Sequence, residues 1–516
     1  MFLVTFGYFV FLAASLLLYY LVPGRVQWII LLLSSMIFYM LAGTPFTIVY
    51  LLITIVTVWA GSNQIEKYRD DTKKSKRILV CTLLINIGIL SALKYTNFFL
   101  RNYNEIGSWF GLWQEKELVR WTASLGVSFY TLQALGYLLD VYWGTSQAQP
   151  NIGKIALFTS WFPQMSSGPI SRYHQISDDL YGAHRFSYRN LCFGLQRILF
   201  GLVKKLVIAE NLAFYVNPIF AENSGYTGWF IWIGMAMYLL QLYTDFSGCM
   251  DIVIGSAECF GVRMPENFDR PFHSQTIQEF WKRWHITLGT WAQDYIMYPI
   301  LRSKCWANMR RSLKAKYGKK VAKDVPAYIA MLILWAFMGI WHGGDWRYII
   351  EMVWFWFVIM TGQLLEKKTK KLVANLRINT ASGWWTWFRS IRTTFIFGFG
   401  VVFFRSSSVA HGFHNLRNAF SVSKLMPANF AGELSAYREL FTRTEVLKSA
   451  VCIGFGLIIL VVLTIFEAKG KSFREWLEKQ NLFIRWMILY IVLFGVILFG
   501  VYGPGFNASE FIYGGF

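Results

Sequence analysis

An all-α protein that crosses a bilayer many times is the fold class this sequence predicts, and three observations predict it. Hydrophobic residues make up 55% of the 516 residues and charged ones only 15%, where a soluble globular chain carries about a quarter charged. Apolar stretches near the ~20 residues that a helix needs to cross hydrocarbon recur along almost the whole chain. Basic residues gather in a few short segments between those stretches, which is how a membrane protein sets its orientation. With a mean hydropathy of +0.38, a disordered chain, a disulfide scaffold and an ordinary cytosolic enzyme are all excluded.

Taken in order, the apolar stretches fall near 6–22, 27–42, 46–60, 78–100, 121–141, 191–220, 228–244, 326–342, 348–365, 391–405, 448–466 and 485–502, which gives about 11–12 transmembrane helices. The first has neither a basic region before it nor a small-residue cleavage site after it, and reads as a permanent helix. Residues 61–77 hold Lys67, Arg69, Lys73, Lys74, Lys76 and Arg77. The segment 302–323 holds nine Lys/Arg and no acid, 366–377 five against one acid, and 467–485 five against three. Alternation from an outside N-terminus puts these four loops in the cytoplasm, and the loop 406–447 and the tail Gly503–Phe516 outside. Topology thereby accounts for most of the net charge of +21, and no nucleic acid partner is assigned.

Six cysteines are scattered without pairing rhythm, and no metal-ligand spacing is present. Two regions break the pattern of clean spans: Gly153–Arg189, cut by Pro163, Gly168 and Pro169, and Asp245–Leu301. Backbone broken at membrane depth survives only when buried in protein or lining a wet cavity, so re-entrant or interfacial helices are expected there. In the second region, QEFWKRWHITLGTWAQDY reads as one amphipathic interfacial helix. Phe280, Trp284, Thr287 and Trp291 form one stripe and Trp281, His285, Leu288 and Ala292 another. His285 then faces the apolar side, as a packing or a functional residue. His342 ends a wholly apolar stretch, YIAMLILWAFMGIWHGG. An ionisable side chain at that depth is a functional candidate by default.

The run YTDFSGCMDIVIGSAECFGVRMPENFDRPFHSQTIQEFWKRWHITLGTWAQDYIMYP, followed some way on by MGIWHG, resembles the core of the membrane-bound O-acyltransferase family. The upstream blocks GVSFYTLQALGYLLDVYWG and FPQMSSGPISRY and the downstream VVFFRSSS resemble further motifs of that family. Within it the chain is most similar to the bacterial cell-surface branch, which includes alginate O-acetyltransferases and D-alanyl transfer proteins of teichoic acid. The resemblance implies a single membrane domain over 1–516, a ring of helices around a central channel. Its core would span about 121–405, with a C-terminal helix pair and extracytoplasmic tail over 448–516. It also implies that an acyl group passes from a cytoplasmic thioester to an extracytoplasmic hydroxyl. A long basic insertion, Arg302–Lys323, stands where alginate enzymes carry a glycine-rich segment, which points to another surface polymer as acceptor.

The resemblance makes His342 the catalytic histidine and His285 the second histidine of the family's WH motif. Neutral imidazole suits a base that takes a hydroxyl proton near neutral pH. A donor for the oxyanion would come from His285, a Trp or a backbone N–H. Asp294, further along the same expected helix, is a supporting residue that orients the site or caps an interface. Arg172, Lys282 and Arg283 are candidates for binding an anionic donor, either acetyl-coenzyme A or an acyl-phosphopantetheine carrier; ordinary positive-inside placement is the competing reading. No bound cofactor is expected. The resembling systems include an extracytoplasmic SGNH-hydrolase-type partner. In the tail GPGFNASEFIYGGF, Tyr513 is a candidate acyl relay, forming a phenyl ester before a partner collects the group; an aromatic anchor belt is the plainer alternative. Three functions compete: O-acetyl transfer to a surface polymer, D-alanyl transfer to teichoic acid, and secondary transport. Transport would call for paired broken helices in two halves and intramembrane acids, which the sequence does not offer.

Overall fold

The computed structural model describes residues 3–111, 115–119, 126–165, 167–421 and 444–503. Among these every regular element is helical, and the one bridge between extended segments pairs Phe268 with Trp284. Within the described residues, all twelve apolar stretches fall mainly on helices, as expected of a multi-pass membrane protein. Seven helices among the described residues are long and apolar enough to cross a membrane, and Phe6–Leu21 is a shorter apolar one. The count falls below twelve because some apolar helices are shorter than 18 residues, Phe6–Leu21 with 16 and Val127–Trp143 with 17 among them. In Val127–Trp143, 14 of 17 residues are buried, so Ser128, Thr131, Gln133 and Asp140 sit on it without meeting hydrocarbon. Gln133 Nε2, for example, donates to Phe158 O at 3.0 Å.

The chain divides into two compact units. The first comprises Met1–Val207, Asp245–Pro265 and Leu460–Phe516. The region cut by Pro163 and Gly168 forms the short helices Ile152–Ser160, Phe162–Met165 and Tyr173–Tyr181, none long enough to cross a bilayer. The expected span 191–220 is likewise interrupted. An α-helix, Tyr188–Leu202, passes into a π-helical stretch, Val203–Ala209. Tyr188–Leu202 meets the Trp229–Cys259 helix so closely that a Cβ on Gly201 would lie 2.7 Å from Gly248 O. Small residues at such a crossing let backbones approach, and the short aspartates of one helix then reach the cations of the other. Arg197 Nε and Lys204 Nζ bind Asp251 at 3.0 and 2.7 Å. Lys205 pairs with Asp245 with side chains only 3% and 1% exposed. The wider π-turn brings two successive lysines to acids six residues apart on the facing helix.

The second unit comprises Ile208–Thr244 and Glu266–Ile459. Its long helices are Lys304–His342, Trp346–Asn375 and Gly383–Arg405, consecutive and packed in sequence. Aromatic rings fill the space between them and the short Ile277–Arg283 helix: Phe280 lies 4.0 Å from Phe397, and Trp281 5.0 Å from Trp335 and 5.1 Å from Phe355, centroid to centroid. The basic insertion Arg302–Lys323, expected as a loop, is mostly helical. Lys304–His342 begins inside it and departs from helical geometry only at Gly318, where φ is 83°.

The stretch 278–295 is not the single amphipathic helix its periodicity predicts. It forms Ile277–Arg283, Ile286–Ala292 and a π-helical stretch, Gln293–Met297. Between the first two, Trp284 is held by its bridge to Phe268, and His285 takes φ 47°. Tertiary bonds to the 267–269 segment override helical periodicity here: Asp269 N donates to Arg283 O and Ile286 N to Asn267 O, at 3.0 and 3.1 Å. Trp281 and His285 therefore do not share a helical face.

Candidate active site

His342 is the last residue of its helix and 1% exposed. The following residue has to be small. A Cβ on Gly343 would lie 2.5 Å from the Tyr348 ring, and its φ of 169° is ordinary extended backbone, so close approach is what demands glycine. Asp345 then caps the next helix, Oδ1 accepting from Arg347 N at 3.0 Å. The imidazole is packed by Trp341 at 5.0 Å and Phe404 at 5.9 Å, and Phe404 lies 5.3 Å from Tyr348. Arg347 ties this corner together. Its Nη2 donates to Tyr348 Oη at 2.8 Å and its Nη1 to Ser406 O. The VVFFRSSS block thus reaches the histidine through Phe404 and Arg347 through Ser406.

His285 is 2% exposed, and its ring lies 5.8 Å from Trp341. Both histidines therefore pack on one indole. A left-handed φ costs an L-residue about 1 kcal/mol, and such strain gathers at functional sites. Asn267 holds it in place: its Oδ1 accepts from His285 Nδ1 at 3.2 Å, Thr287 N at 3.1 Å and Thr287 Oγ1 at 3.0 Å.

The remaining candidates are placed differently. Asp294 is exposed, lies in the π-helical stretch beyond Ala292, and is not on His285's helix. Lys282 is exposed, and Arg283 binds Glu279 at 3.0 Å and Asp269 at 3.7 Å. Arg172 belongs to the other unit, is 8% exposed, and caps Tyr173–Tyr181, its N–H donating to Gln175 Oε1 at 2.8 Å. Tyr513 lies outside the described residues. Sequence reasoning passed over Asn267, Arg347 and Tyr348. Asn267 stands in the quoted PENFDRP run, and Arg347 follows the helix-starting GGD. Glu351, one turn after Arg347, is 2% exposed, with Oε2 making no hydrogen bond among the described residues. It is a buried carboxyl of the kind that merits functional scrutiny in a membrane helix.

Residues 147–313 match the membrane-bound O-acyltransferase family model. A probable alginate O-acetylase of Pseudomonas putida is 33% identical over 347 residues, 67% of this chain and 67% of its own length. The chain belongs to the membrane-bound O-acyltransferase family. The peptidoglycan O-acetyltransferase of Helicobacter pylori is 26% identical over 76% of this chain and 74% of its own. The teichoic acid D-alanyltransferase of Bacillus subtilis is 29% identical over 48% of this chain and 60% of its own. In the alginate O-acetylase counterparts of Pseudomonas aeruginosa and Azotobacter vinelandii, the matched part covers 62% and 65% of their length. Helix content, apolar spans and bacterial relatives agree on a multi-pass bacterial membrane protein. The family match contains His285 and Asn267 and stops short of His342.

Proposed function

We propose that this protein is an O-acyltransferase that moves an acyl group, acetyl in the leading reading, from a cytoplasmic thioester to a hydroxyl of a cell-surface polymer. The observation that carries the reading is the pair of buried histidines packed on Trp341 in a chain of this family. His342 removes the proton as the hydroxyl oxygen attacks the thioester carbonyl. The new C–O bond forms, the C–S bond breaks, and the proton passes from His342 to the departing thiolate. The oxygen that gains charge takes its hydrogen bond from a Trp N–H or a backbone N–H, and His285, held by Asn267, orients the site. Donor and partner are proposals of the same reading: acetyl-coenzyme A or a phosphopantetheine carrier on the cytoplasmic side, and an SGNH-hydrolase-like enzyme outside.

D-alanyl transfer is the second reading, favoured by the Bacillus subtilis relative; its match covers less of this chain than the O-acetyl enzymes' matches do. Inside-out vesicles given radiolabelled acetyl-coenzyme A test the first reading and vesicles given a D-alanyl-loaded carrier the second. Under the leading reading, acetyl label enters polymer. His342→Ala lowers incorporation by at least ~10²–10⁴ at unchanged abundance, and His285→Ala leaves a residue of activity. An abundant, active His342→Ala protein refutes the role of His342.

A further inference from the structure

In the first unit the Tyr188–Leu202 helix and the C-terminal Leu482–Phe499 helix leave a groove of about 470 Å³ between them. Its long walls are apolar, with Leu199 and Leu202 on one side and Leu489 and Leu493 on the other. Its other end is charged. Arg189 and Arg485 line it with Glu478 as the acid, so one positive charge is left over. Arg189 and Glu478 engage each other, Nε to Oε1 at 3.0 Å and Nη2 to Oε2 at 3.3 Å. Arg485 has no such acid to itself. Its Nη2 donates to the backbone carbonyls of Glu478 and Gln480, and its buried Nε makes no hydrogen bond among the described residues.

We propose that this groove binds one acyl chain of an anionic phospholipid, with the phosphate at Arg485 and Arg189. Dimension, polarity and charge each support that occupant. From the arginines to Leu493 or Leu202 the helices rise roughly 12–20 Å at ~1.5 Å per residue, and one leaflet of hydrocarbon is about 15 Å deep. Both arginines stand in the first turn of their helices and both bond to Glu478, hence at one level, where a headgroup sits. Basic pockets between transmembrane helices hold anionic headgroups in this way. Tyr188 and Trp486 flank the mouth, the residue types that settle at a membrane–water interface. A second protein helix would fill the apolar walls equally well, but it would leave the extra guanidinium uncompensated. By the distribution of basic loops this is the cytoplasmic leaflet. The lipid would fasten the last helix to the rest of its unit, independently of catalysis.

The test uses the full chain in nanodiscs of phosphatidylglycerol or of phosphatidylcholine, with bound lipid counted by native mass spectrometry after gentle release. Wild type should retain phosphatidylglycerol in preference to phosphatidylcholine, about one per chain. Arg485→Gln should lower that preference about fivefold, and Leu199→Trp, which fills the groove, should abolish retention of either. A photoreactive phosphatidylglycerol guards against a misfolded Leu199→Trp protein. On wild type it should crosslink to the 188–202 segment, where Cys192 lines the groove. Equal retention of the two lipids by wild type, unchanged preference in Arg485→Gln, or crosslinking elsewhere overturns the proposal. So does a dimeric protein that carries no lipid.

Discussion

Asn267 Oδ1 accepts from the backbone N–H of Thr287 while lying 3.2 Å from His285 Nδ1, and this leaves that ring nitrogen only the role of donor. Neutral His285 then carries its lone pair on Nε2. A protonated His285 offers both N–H groups, so Asn267 is compatible with a ring that gives a hydrogen bond at Nε2 only in its charged form. The side chain of Asn267 thus sets both the strained turn and the tautomer. Asn267→Ala should lower kcat roughly 10²-fold, the scale of a ~1 Å misplacement, with little change in donor KM. Asn267→Asp, which keeps the acceptor oxygen, should recover part of the loss. If Asn267→Ala alters only abundance, Asn267 is structural and does not position His285.

The corner after His342 is set by contact. Gly343→Ala pushes a methyl group into the Tyr348 ring, at a cost of about 1–3 kcal/mol for an overpacked site. We expect a less stable protein with much reduced transfer. Adding Tyr348→Ala removes the obstruction, so Gly343→Ala should cost less stability in a Tyr348→Ala background than in the wild type. Thermal midpoints of the wild type, both single variants and the double variant decide the matter; an equal cost in the two backgrounds would show that the glycine serves another purpose.

Lys205 and Asp245 test the buried charges. Removing one partner strands the other, and a buried pair broken in this way costs about 3–5 kcal/mol. Lys205→Met and Asp245→Asn should each lower membrane abundance sharply. The combination of Lys205→Met with Asp245→Leu should be milder than either single change, because no uncompensated charge is left. A double variant worse than both would show that the ion pair is needed for more than neutrality.

The helical stretches were legible wherever hydrophobicity alone decides them, as in Gln27–Ala42 or Leu482–Phe499. They were misjudged where tertiary bonds outweigh periodicity, as at His285. His342 was legible as a candidate, because an imidazole at the end of an apolar run is costly without a use, and the structure buries it. Asn267 and Arg347 were not. An asparagine in a loop and an arginine after a helix start are common, and only the fold shows which ring or carbonyl each one reaches.

Tyr513 rests on sequence alone. As a relay its hydroxyl must accept the acyl group, so Tyr513→Phe, which keeps the ring, should stop polymer acylation while the thioester donor is still bound. Wild-type acylation by Tyr513→Phe would leave the tail an aromatic anchor.

Orientation can be read from a thiol the chain already carries. Cys305 is exposed and opens the basic helical segment, in which nine Lys/Arg and no acid lie between residues 302 and 323. Such a segment is retained on the cytoplasmic side. Cys81, the other exposed cysteine, lies in the apolar part of the Thr72–Phe110 helix, where a charged maleimide does not follow. An impermeant maleimide should therefore leave intact cells unlabelled and mark Cys305 in inside-out vesicles, and Cys305→Ser should remove that signal. Labelling of Cys305 from outside intact cells would invert the whole arrangement. The arginines of the C-terminal groove would then face the outer leaflet, and the His342 corner would open toward the cytoplasm.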